Sequence, residues 1–282
     1  MKKLAILAAL ALVVASTASA SPWNKTFAQA QQKAKAKNAL IFVDLWAEWC
    51  GWCHKFEQDV IPSQAFQNAT DSMVLLRLNT EDQGDGTSFA RRYNVTSLPT
   101  FLILDRDGII VGIIRGYQPP ADFANSIKDV EGRYDAFMKR VEGERSIAGD
   151  YQKRLDLAKE FRIRYALPQA EERFRKLTIE KNVPAPIRDE SFYELALTQL
   201  LQKKYDDSMA TIAKFGTIQK KGEQYEKSRL LVGDVYLQQG KLDRAAAEYR
   251  NFKKAFPQSQ YVKNIDMLLP QLEQQITATK KP

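Results

Sequence analysis

The feature that most constrains the fold is a pair of cysteines directly after an apolar run. Residues 40–46 read Leu-Ile-Phe-Val-Asp-Leu-Trp, a partly β-branched run that is typical of a buried strand. Helical character returns from Cys50 to Val60, so Cys50 and Cys53 lie where a strand gives way to a helix. A buried strand needs cover on both faces, and the sequence therefore predicts an α/β fold around it.

The same patterns predict the other elements of a domain that ends near Val130. After a first helix, the predicted order is β-α-β-α-β-β-α, a sheet flanked by helices. The segments are a helix at 23–37, a strand at 73–78, a short helix at 87–93, a hairpin of strands at 101–104 and 109–114, and a helix from 121.

The chain after this domain is helical in character and repeats. Its clearest unit resembles the tetratricopeptide pattern, with small residues at Gly233 and Ala245, an aromatic residue at Tyr249 and a closing Pro257. Weaker copies lie 37 residues and then a further 38 residues earlier. The pattern predicts stacked helix pairs, with a generic helical bundle as the alternative.

The first twenty residues have the features of a secretory signal peptide. Lys2 and Lys3 precede an apolar run at 4–14, and the small residues Ala18-Ser19-Ala20 are typical of a cleavage site. A bilayer-spanning helix, the alternative, needs about 20 apolar residues. We predict cleavage near Ala20 and a mature protein in the periplasm or an equivalent exported space.

These patterns divide the chain into four segments. They are a signal peptide at 1–20, an α/β domain at 21–130, a helical linker at 131–150 and an all-α, tetratricopeptide-like repeat domain at 151–282. The formal net charge is +8, and the positive excess lies in the second half. Mixed charges of this kind are typical of solvated helix faces, with an acidic partner or a membrane surface as the alternative. We expect no nucleic acid partner and no membrane contact.

The cysteine pair is better explained by chemistry than by cross-linking. The chain has two cysteines, and a bridge that closes so short a loop adds little stability. A sulfur at a helix N-terminus faces unpaired N–H groups, which lowers the pKa of its thiol. We therefore predict that Cys50 is the exposed nucleophile and that Cys53, one turn later and shielded, resolves the mixed disulfide.

Residues 43–53, Val-Asp-Leu-Trp-Ala-Glu-Trp-Cys-Gly-Trp-Cys, resemble the active-site segment of thioredoxins. The resemblance extends to Ser97-Leu98-Pro99-Thr100 and to Arg115-Gly116-Tyr117, and it covers about 110 residues. It implies a central mixed sheet of four or five strands flanked by helices. It also implies a buried acid, Asp44, that exchanges a proton with Cys53, and a cis-proline at Pro99. An Asp that only ends a strand is the alternative for Asp44.

The resemblance further implies a substrate-binding surface around the sulfurs, formed by Trp49, Gly51, Trp52, Leu98 and Pro99. Ordinary packing is the alternative for the two tryptophans. Trp52 departs from the family, which usually has proline there, and this departure puts a thioredoxin-like redox potential in doubt. Arg77 stands where the family usually has lysine, which keeps the charge but not an easily lost proton.

His54 follows Cys53, so the segment also matches the Cys-x-x-Cys-His pattern of c-type haem attachment. The preceding strand and the Pro99 loop favour the thioredoxin interpretation. A zinc site has only three neighbouring ligands here, Cys50, Cys53 and His54. We interpret His54 as a residue that tunes the thiol pKa or as a plain surface histidine, and we expect no metal or cofactor.

The sequence thus predicts an exported thiol–disulfide oxidoreductase, with Leu98 before Pro99 favouring the reducing direction as in reducing family members. The alternatives are a disulfide oxidase or isomerase, and a scaffold whose helical repeats bind partners beside an accessory redox domain. The predicted partners are client proteins with disulfides or thiols, an unidentified redox donor or acceptor, and a protein on the helical repeats.

Overall fold

The computed structural model describes residues 23–279, so the predicted signal peptide lies outside the described residues. The α/β part has nine elements within this range, which follow the predicted order with one addition. They are α1 (Phe27–Lys37), β1 (Ile41–Trp46), α2 (Gly51–Asp59), α3 (Gln64–Thr70), β2 (Val74–Asn79), α4 (Asp85–Arg92), β3 (Thr100–Leu104), β4 (Ile110–Arg115) and α5 (Pro120–Glu142).

Helix α3 is the addition, and a cap explains it. The sequence predicts that the preceding helix ends near Pro62, and it predicts no element between there and the next strand. In the structure Ser63 begins a new helix, because its hydroxyl accepts the backbone N–H of Phe66 at 3.2 Å.

The strands form one mixed sheet in the order β2-β1-β3-β4. β1 pairs with β2 in parallel and with β3 antiparallel, and β3 pairs with β4 antiparallel. Asp44 in β1 lies opposite Arg77 on one side and Phe101 on the other. The predicted sheet flanked by helices is confirmed.

Side chains of β1 alternate between two separate cores. Val43 and its neighbours on one face pack with α1 and α4, whereas Phe42 on the other face packs with Phe56 of α2 and with residues of α3 and α5. Because strand side chains alternate, Asp44 lies on the same face as Phe42, beneath α2. β1 and β2 are parallel, and α2 lies in the connection between them. The helix therefore runs in the direction opposite to β1. Asp44, further along β1 than Phe42, therefore lies under the earlier turn of α2 that carries Cys53.

The remaining described chain is helical. After a short 3₁₀ helix (Glu144–Ile147) come α6 (Tyr151–Ile163), α7 (Leu167–Ile179), α8 (Ala185–Leu201), α9 (Tyr205–Ile218), α10 (Glu223–Gln238), α11 (Leu242–Ala255) and α12 (Val262–Thr279). Each helix packs on the next, and α8 also packs on α6 and α10. The helical region that the sequence predicts is confirmed.

The predicted repeat positions occupy equivalent places in successive helix pairs. The small residues at these positions are all buried where two helices meet: Ala158, Ala170, Ala196, Ser208, Gly233 and Ala245. The approach is closest at Gly233, where an added Cβ would lie 2.3 Å from the Tyr249 ring. This packing is compatible with tetratricopeptide-like repeats.

The α/β part and the helical region share an element and a set of hydrogen bonds. The boundary predicted at residue 130 falls inside α5, which continues without a break to Glu142. Arg164, just after α6, accepts the N–H of Ile110 through its own carbonyl at 2.8 Å. Its guanidinium donates to the carbonyls of Ile110 and Val111 at 3.0 and 2.8 Å. The helical region is therefore bonded to the outer edge of β4.

Candidate active site

Cys50 and Cys53 form a disulfide at the start of α2, with an S–S distance of 2.01 Å and a Cα–Cα distance of 5.2 Å. Cys50 is the N-cap of the helix, and its Sγ accepts the backbone N–H of Cys53 at 3.1 Å. A sulfur in this position faces the positive end of the helix dipole. Once the disulfide is reduced, the same N–H group favours the thiolate form of Cys50.

Both cysteines are buried in this disulfide form, and Cys50, which is predicted to be the more exposed, exceeds Cys53 only slightly. The exposed fractions are 4% for Cys50 and 3% for Cys53. The bond holds both sulfurs side by side over one helical turn, so they share the same cover. The difference between them lies in the hydrogen bond to the Cys50 sulfur.

Asp44 is almost completely buried, with 2% of its surface exposed. Burial raises the pKa of its carboxyl to about 7, with Arg77 opposing the rise and Glu57 adding to it. Asp44 Oδ1 is buried and has no hydrogen-bond partner among the described residues. Near neutral pH this carboxyl is therefore able both to take up and to release a proton.

Arg77 links Asp44 to the outside of α2. Its Nε lies 3.2 Å from Asp44 Oδ2, and its two terminal nitrogens donate to the two oxygens of Glu57 at 2.6 and 2.8 Å. The guanidinium also lies over the Trp46 ring, 4.6 Å from its centroid. The bond from Arg77 is the main cause that lowers the pKa of Glu57.

A groove of about 210 Å³ lies beside the disulfide. It is lined by Trp52, Leu98, Pro99, Gly116 and Tyr117, and the Leu98–Pro99 peptide bond is cis, as the sequence resemblance implies. The Trp52 and Tyr117 rings lie 5.3 Å apart, and Trp52 is 58% exposed. The groove is therefore an open apolar slot whose wall includes Trp52, the residue that lies between the two cysteines in the sequence.

The other predicted site residues surround the same helix start. Trp49 is 69% exposed, and its ring N–H donates to Glu81 at 2.8 Å. Gly51 is exposed, with open space where a Cβ would be. His54 Nε2 lies 2.9 Å from the carbonyl oxygen of Glu48. Trp49 and Gly51 thus form part of the solvent-exposed surface next to the two buried cysteines.

Two groups at this site are not predicted by the sequence. Glu57 comes four residues after Cys53, one helical turn further along α2, and this spacing was the available signal. Tyr117 belongs to the Arg115-Gly116-Tyr117 motif, which predicts no role for it. In the structure its hydroxyl donates to Asp59 at 3.1 Å and its ring forms part of the groove wall.

No group of three or more His, Cys, Asp or Glu side chains among residues 23–279 is arranged to hold a metal ion. No helix in this range is both long enough and apolar enough to cross a membrane.

Comparisons with known proteins agree with this geometry over the α/β part. The family described as a thioredoxin-like domain matches residues 27–131. Relatives named thiol:disulfide interchange protein DsbD are similar in sequence. The protein from Cronobacter sakazakii is 32% identical over 97 residues, 33% of this chain and 17% of that protein. The protein from Actinobacillus pleuropneumoniae is 31% identical over 86 residues, 30% of this chain and 15% of that protein.

The chain thus spans less than a fifth of the length of these curated relatives. A solved structure titled DsbH oxidoreductase aligns with 39% of this chain and 83% of its own, at 17% identity and a TM-score of 0.36. The sheet order, the disulfide at the start of α2 and the family match lead to one conclusion. Residues 27–131 form a thioredoxin-like domain.

Proposed function

We propose that this protein is a thiol–disulfide oxidoreductase that exchanges disulfides with client proteins through Cys50 and Cys53. The observation that carries the proposal is the disulfide at the N-terminus of α2, with its Cys50 sulfur accepting a helix N–H group. That position favours a thiolate at Cys50, and a thiolate is the attacking species in disulfide exchange. The names of the DsbD relatives describe the same chemistry.

In the reducing direction the Cys50 thiolate attacks a sulfur of the client disulfide. A bond forms between Cys50 and the client, and the other client sulfur leaves as a thiolate that takes a proton from water. Cys53 then gives its proton to Asp44 and attacks Cys50. The Cys50–Cys53 disulfide forms, and the second client sulfur leaves as a thiolate that takes a proton from water. Two electrons have then passed from the two cysteines to the client.

The client is proposed to bind along the groove. Trp49 and Trp52 supply exposed aromatic surface, and Gly51 leaves room for a chain to pass over the sulfurs. Leu98 and Pro99 form the opposite wall, where an extended client segment packs. His54 adds a titratable ring close to the helix start and tunes the thiols, with its ring placed by the Glu48 carbonyl.

The reducing direction and export are part of the proposal. Leu98 supports reduction, and the basic, apolar and small-residue pattern of residues 1–20 supports cleavage near Ala20 and a periplasmic location. Reduction there needs a dedicated electron donor, because an exported space is oxidising. An oxidase or isomerase is the second candidate, since Trp52 replaces the usual proline between the cysteines.

The helical region is proposed to bind a protein partner and so to select clients. Its helices stack pairwise in sequence order, as a repeat surface requires. We keep 21–130, 131–150 and 151–282 as the proposed domain, linker and repeat segments, with α5 shared between the first two. In a pure scaffold Cys50→Ser would leave partner binding and phenotype intact.

A redox titration of the mature protein, with thiols counted by alkylation and mass, tests the proposal. A midpoint of about −230 to −270 mV supports a reductase, whereas about −120 to −180 mV moves the assignment to an oxidase or isomerase. If Cys50 and Cys53 do not interconvert between dithiol and disulfide in any redox buffer, the proposed function is wrong. The scaffold and haem interpretations then replace it.

A further inference from the structure

The feature behind this inference is one end of the helical region, where several helices begin or end side by side. Phe215, near the end of α9, contacts Phe192 of α8 and Tyr225 at the start of α10, with ring centroids 5.3 and 6.3 Å from its own. Tyr225 in turn contacts Phe256, just after α11, at 6.1 Å. α7 ends next to the same place, because a short loop joins it to the start of α8. The ends of α7, α9 and α11 therefore lie together.

This end carries exposed lysines that have no ion-pair partner among the described residues. They are Lys181, Lys214, Lys220, Lys221 and Lys254. Most acids at the same end are paired with cations of their own, as in Arg154–Glu180, Arg188–Asp189 and Lys227–Glu223. Glu226 is the exception within the described chain. The end therefore has an excess of positive charge that no neighbouring acid neutralises.

Two isoleucines lie at the same end. Ile179 is the last residue of α7 and Ile218 is the last residue of α9, and their exposed fractions are 64% and 46%. Lys181 follows the first isoleucine closely, and Lys220 and Lys221 follow the second. We call the surface formed by these two isoleucines and the lysines above the basic end. Lysines around exposed apolar side chains fit a surface that has negative charge over an apolar interior.

We propose that the basic end is a docking surface for a membrane with anionic phospholipid headgroups. The lysines pair with the headgroup phosphates, and Ile179 and Ile218 enter the boundary between the headgroups and the acyl chains. This inference does not depend on the proposed function. It replaces the expectation of no membrane contact with the membrane-surface alternative for the positive charge.

The arrangement of the charges favours a lipid surface over an extended acidic protein segment. The lysines lie on the ends of helices and on the loops that join them, so they form a face and do not line a groove between helices. The charges between neighbouring helices are instead paired with each other. Lys159 of α6 bonds to Glu190 of α8 at 2.6 Å, and Arg162 pairs with Glu194 at 2.5 Å. A groove lined by such pairs has little unbalanced charge to attract an acidic segment.

Docking through the basic end leaves the redox site accessible. The start of α6 lies near this end, because Arg154 bonds to Glu180 after α7. α6 therefore ends at the opposite end of the helical region, where Arg164 bonds to the start of β4. The α/β part is thus attached away from the proposed membrane surface.

Two kinds of substitution should weaken membrane binding. Lys220→Glu/Lys221→Glu should weaken it about tenfold or more, because each lysine near an anionic surface adds its own attraction. Lys33→Glu/Lys37→Glu is the matched control, since both lysines are exposed on α1, have no ion pair among the described residues and give the same change in charge. Binding of the wild-type protein should also fall as salt is raised from about 50 to 500 mM.

Ile179→Ser should weaken binding about threefold, because the variant loses the burial of an apolar side chain in the membrane. Ile163→Ser is the matched control. Ile163 is 63% exposed, nearly the same as Ile179, but it ends α6 at the opposite end. Circular dichroism of each variant verifies that the helical region is folded.

The experiment is sedimentation of the mature protein with lipid vesicles. One set contains equal parts of phosphatidylglycerol and phosphatidylcholine, and the other contains phosphatidylcholine alone. We expect binding to the first set and not to the second. Losses in Lys220→Glu/Lys221→Glu and in Ile179→Ser, with none in the two controls, support the proposal.

The opposite results overturn it. These are no binding to phosphatidylglycerol vesicles, equal losses in the variants and their controls, or no effect of Ile179→Ser. Binding of fluorescent polyglutamate in place of vesicles, lost in Lys220→Glu/Lys221→Glu, also overturns the lipid proposal and assigns the basic end to an acidic protein. Disulfide exchange should be unchanged in every variant, because none of the substituted residues lines the groove. Its absence in the wild-type protein would overturn the proposed function alone.

Discussion

Each region of the molecule buries a carboxyl group, and the two groups have opposite pKa shifts. In the thioredoxin-like domain, burial raises the pKa of Asp44 to about 7. In the helical region Glu171 is 7% exposed. Burial also acts to raise its pKa, but hydrogen bonds from Lys204, Gln202, Gln199 and Arg175 outweigh burial and lower it to about 2.

The difference comes from the number of donors that each carboxyl receives. Glu171 lies on α7 and accepts bonds of 2.6 to 3.3 Å from its own helix, from α8 and from the loop before α9. It is permanently ionised at neutral pH and ties three elements together. Asp44 has one ion pair and an oxygen without a partner. A fully bonded carboxyl stabilises a structure, whereas a partly bonded one remains free to exchange a proton.

The largest expected effect is the loss of disulfide exchange, which should leave partner binding by the helical region unchanged. Cys50→Ser should abolish disulfide exchange, because it removes the sulfur that is proposed to attack the client and leaves Cys53 without a partner for the disulfide. Cys53→Ser should trap mixed disulfides through Cys50, because nothing remains to resolve them. Non-reducing gels of the two variants with a protein client measure both effects. Partner binding by the helical region should be the same in both, and a trap that forms equally well with Cys50→Ser would contradict the assigned roles.

The next prediction concerns stability in the thioredoxin-like domain. The folded-state pKa of Asp44 is raised, so its contribution to stability is present below about pH 4 and is lost as pH rises through about 7. Asp44→Asn should therefore be about 2–4 kcal/mol more stable than wild type at pH 8. Near pH 4 the two proteins should be similar.

Urea unfolding followed by tryptophan fluorescence measures this difference in stability within the thioredoxin-like domain. All four tryptophans of the chain lie in the α/β part, at 23, 46, 49 and 52. A stability difference that stays constant from pH 4 to pH 8 would argue against an ionised, buried Asp44.

Glu171 should show the opposite dependence on pH. The folded-state pKa of Glu171 is lowered. Its contribution to the free energy of unfolding is therefore present above about pH 4.5 and is lost as pH falls through about 2. Glu171→Gln should cost about 1–3 kcal/mol at pH 7 and much less at pH 2.5. Far-UV circular dichroism, which is dominated here by helices, follows the unfolding. Glu172→Gln is the matched control, because Glu172 is exposed and pairs only with Lys176 among the described residues. Equal losses in the two variants would contradict the structural role of Glu171.

The last prediction, of a size similar to that for Glu171→Gln, tests the close helix packing at Gly233. Gly233→Ala places a Cβ 2.3 Å from the Tyr249 ring, and the Tyr249 hydroxyl is bonded to Asp234 at 2.6 Å, so the ring has little freedom to move. We expect a loss of about 1–3 kcal/mol. Gly132→Ala, in open space on α5, should instead gain about 0.5–1 kcal/mol. Thermal unfolding of both variants measures the contrast, and a neutral Gly233→Ala would mean that α10 and α11 pack less closely.

The sequence predicts most of the fold because its signals are local. The apolar run that contains Asp44 and the cysteine pair after it predict β1 and α2, and the cis bond before Pro99 follows from the resemblance. α3 was missed because its only local signal is the Ser63 cap. The Arg77–Glu57 bonds were missed because they join residues 20 positions apart, on different elements. The burial of both cysteines depends on the disulfide itself, which no local pattern describes.

The hydrogen bonds from Arg164 have a consequence for how the chain can be divided. The edges of an open sheet carry unpaired backbone groups that pair readily with other chains. Here Asn24 bonds along β2 at one edge, and Arg164 bonds to β4 at the other. A chain that stops at residue 130 loses the second cover and presents β4 to its neighbours. The helical region therefore covers the start of this sheet edge at Ile110 and Val111.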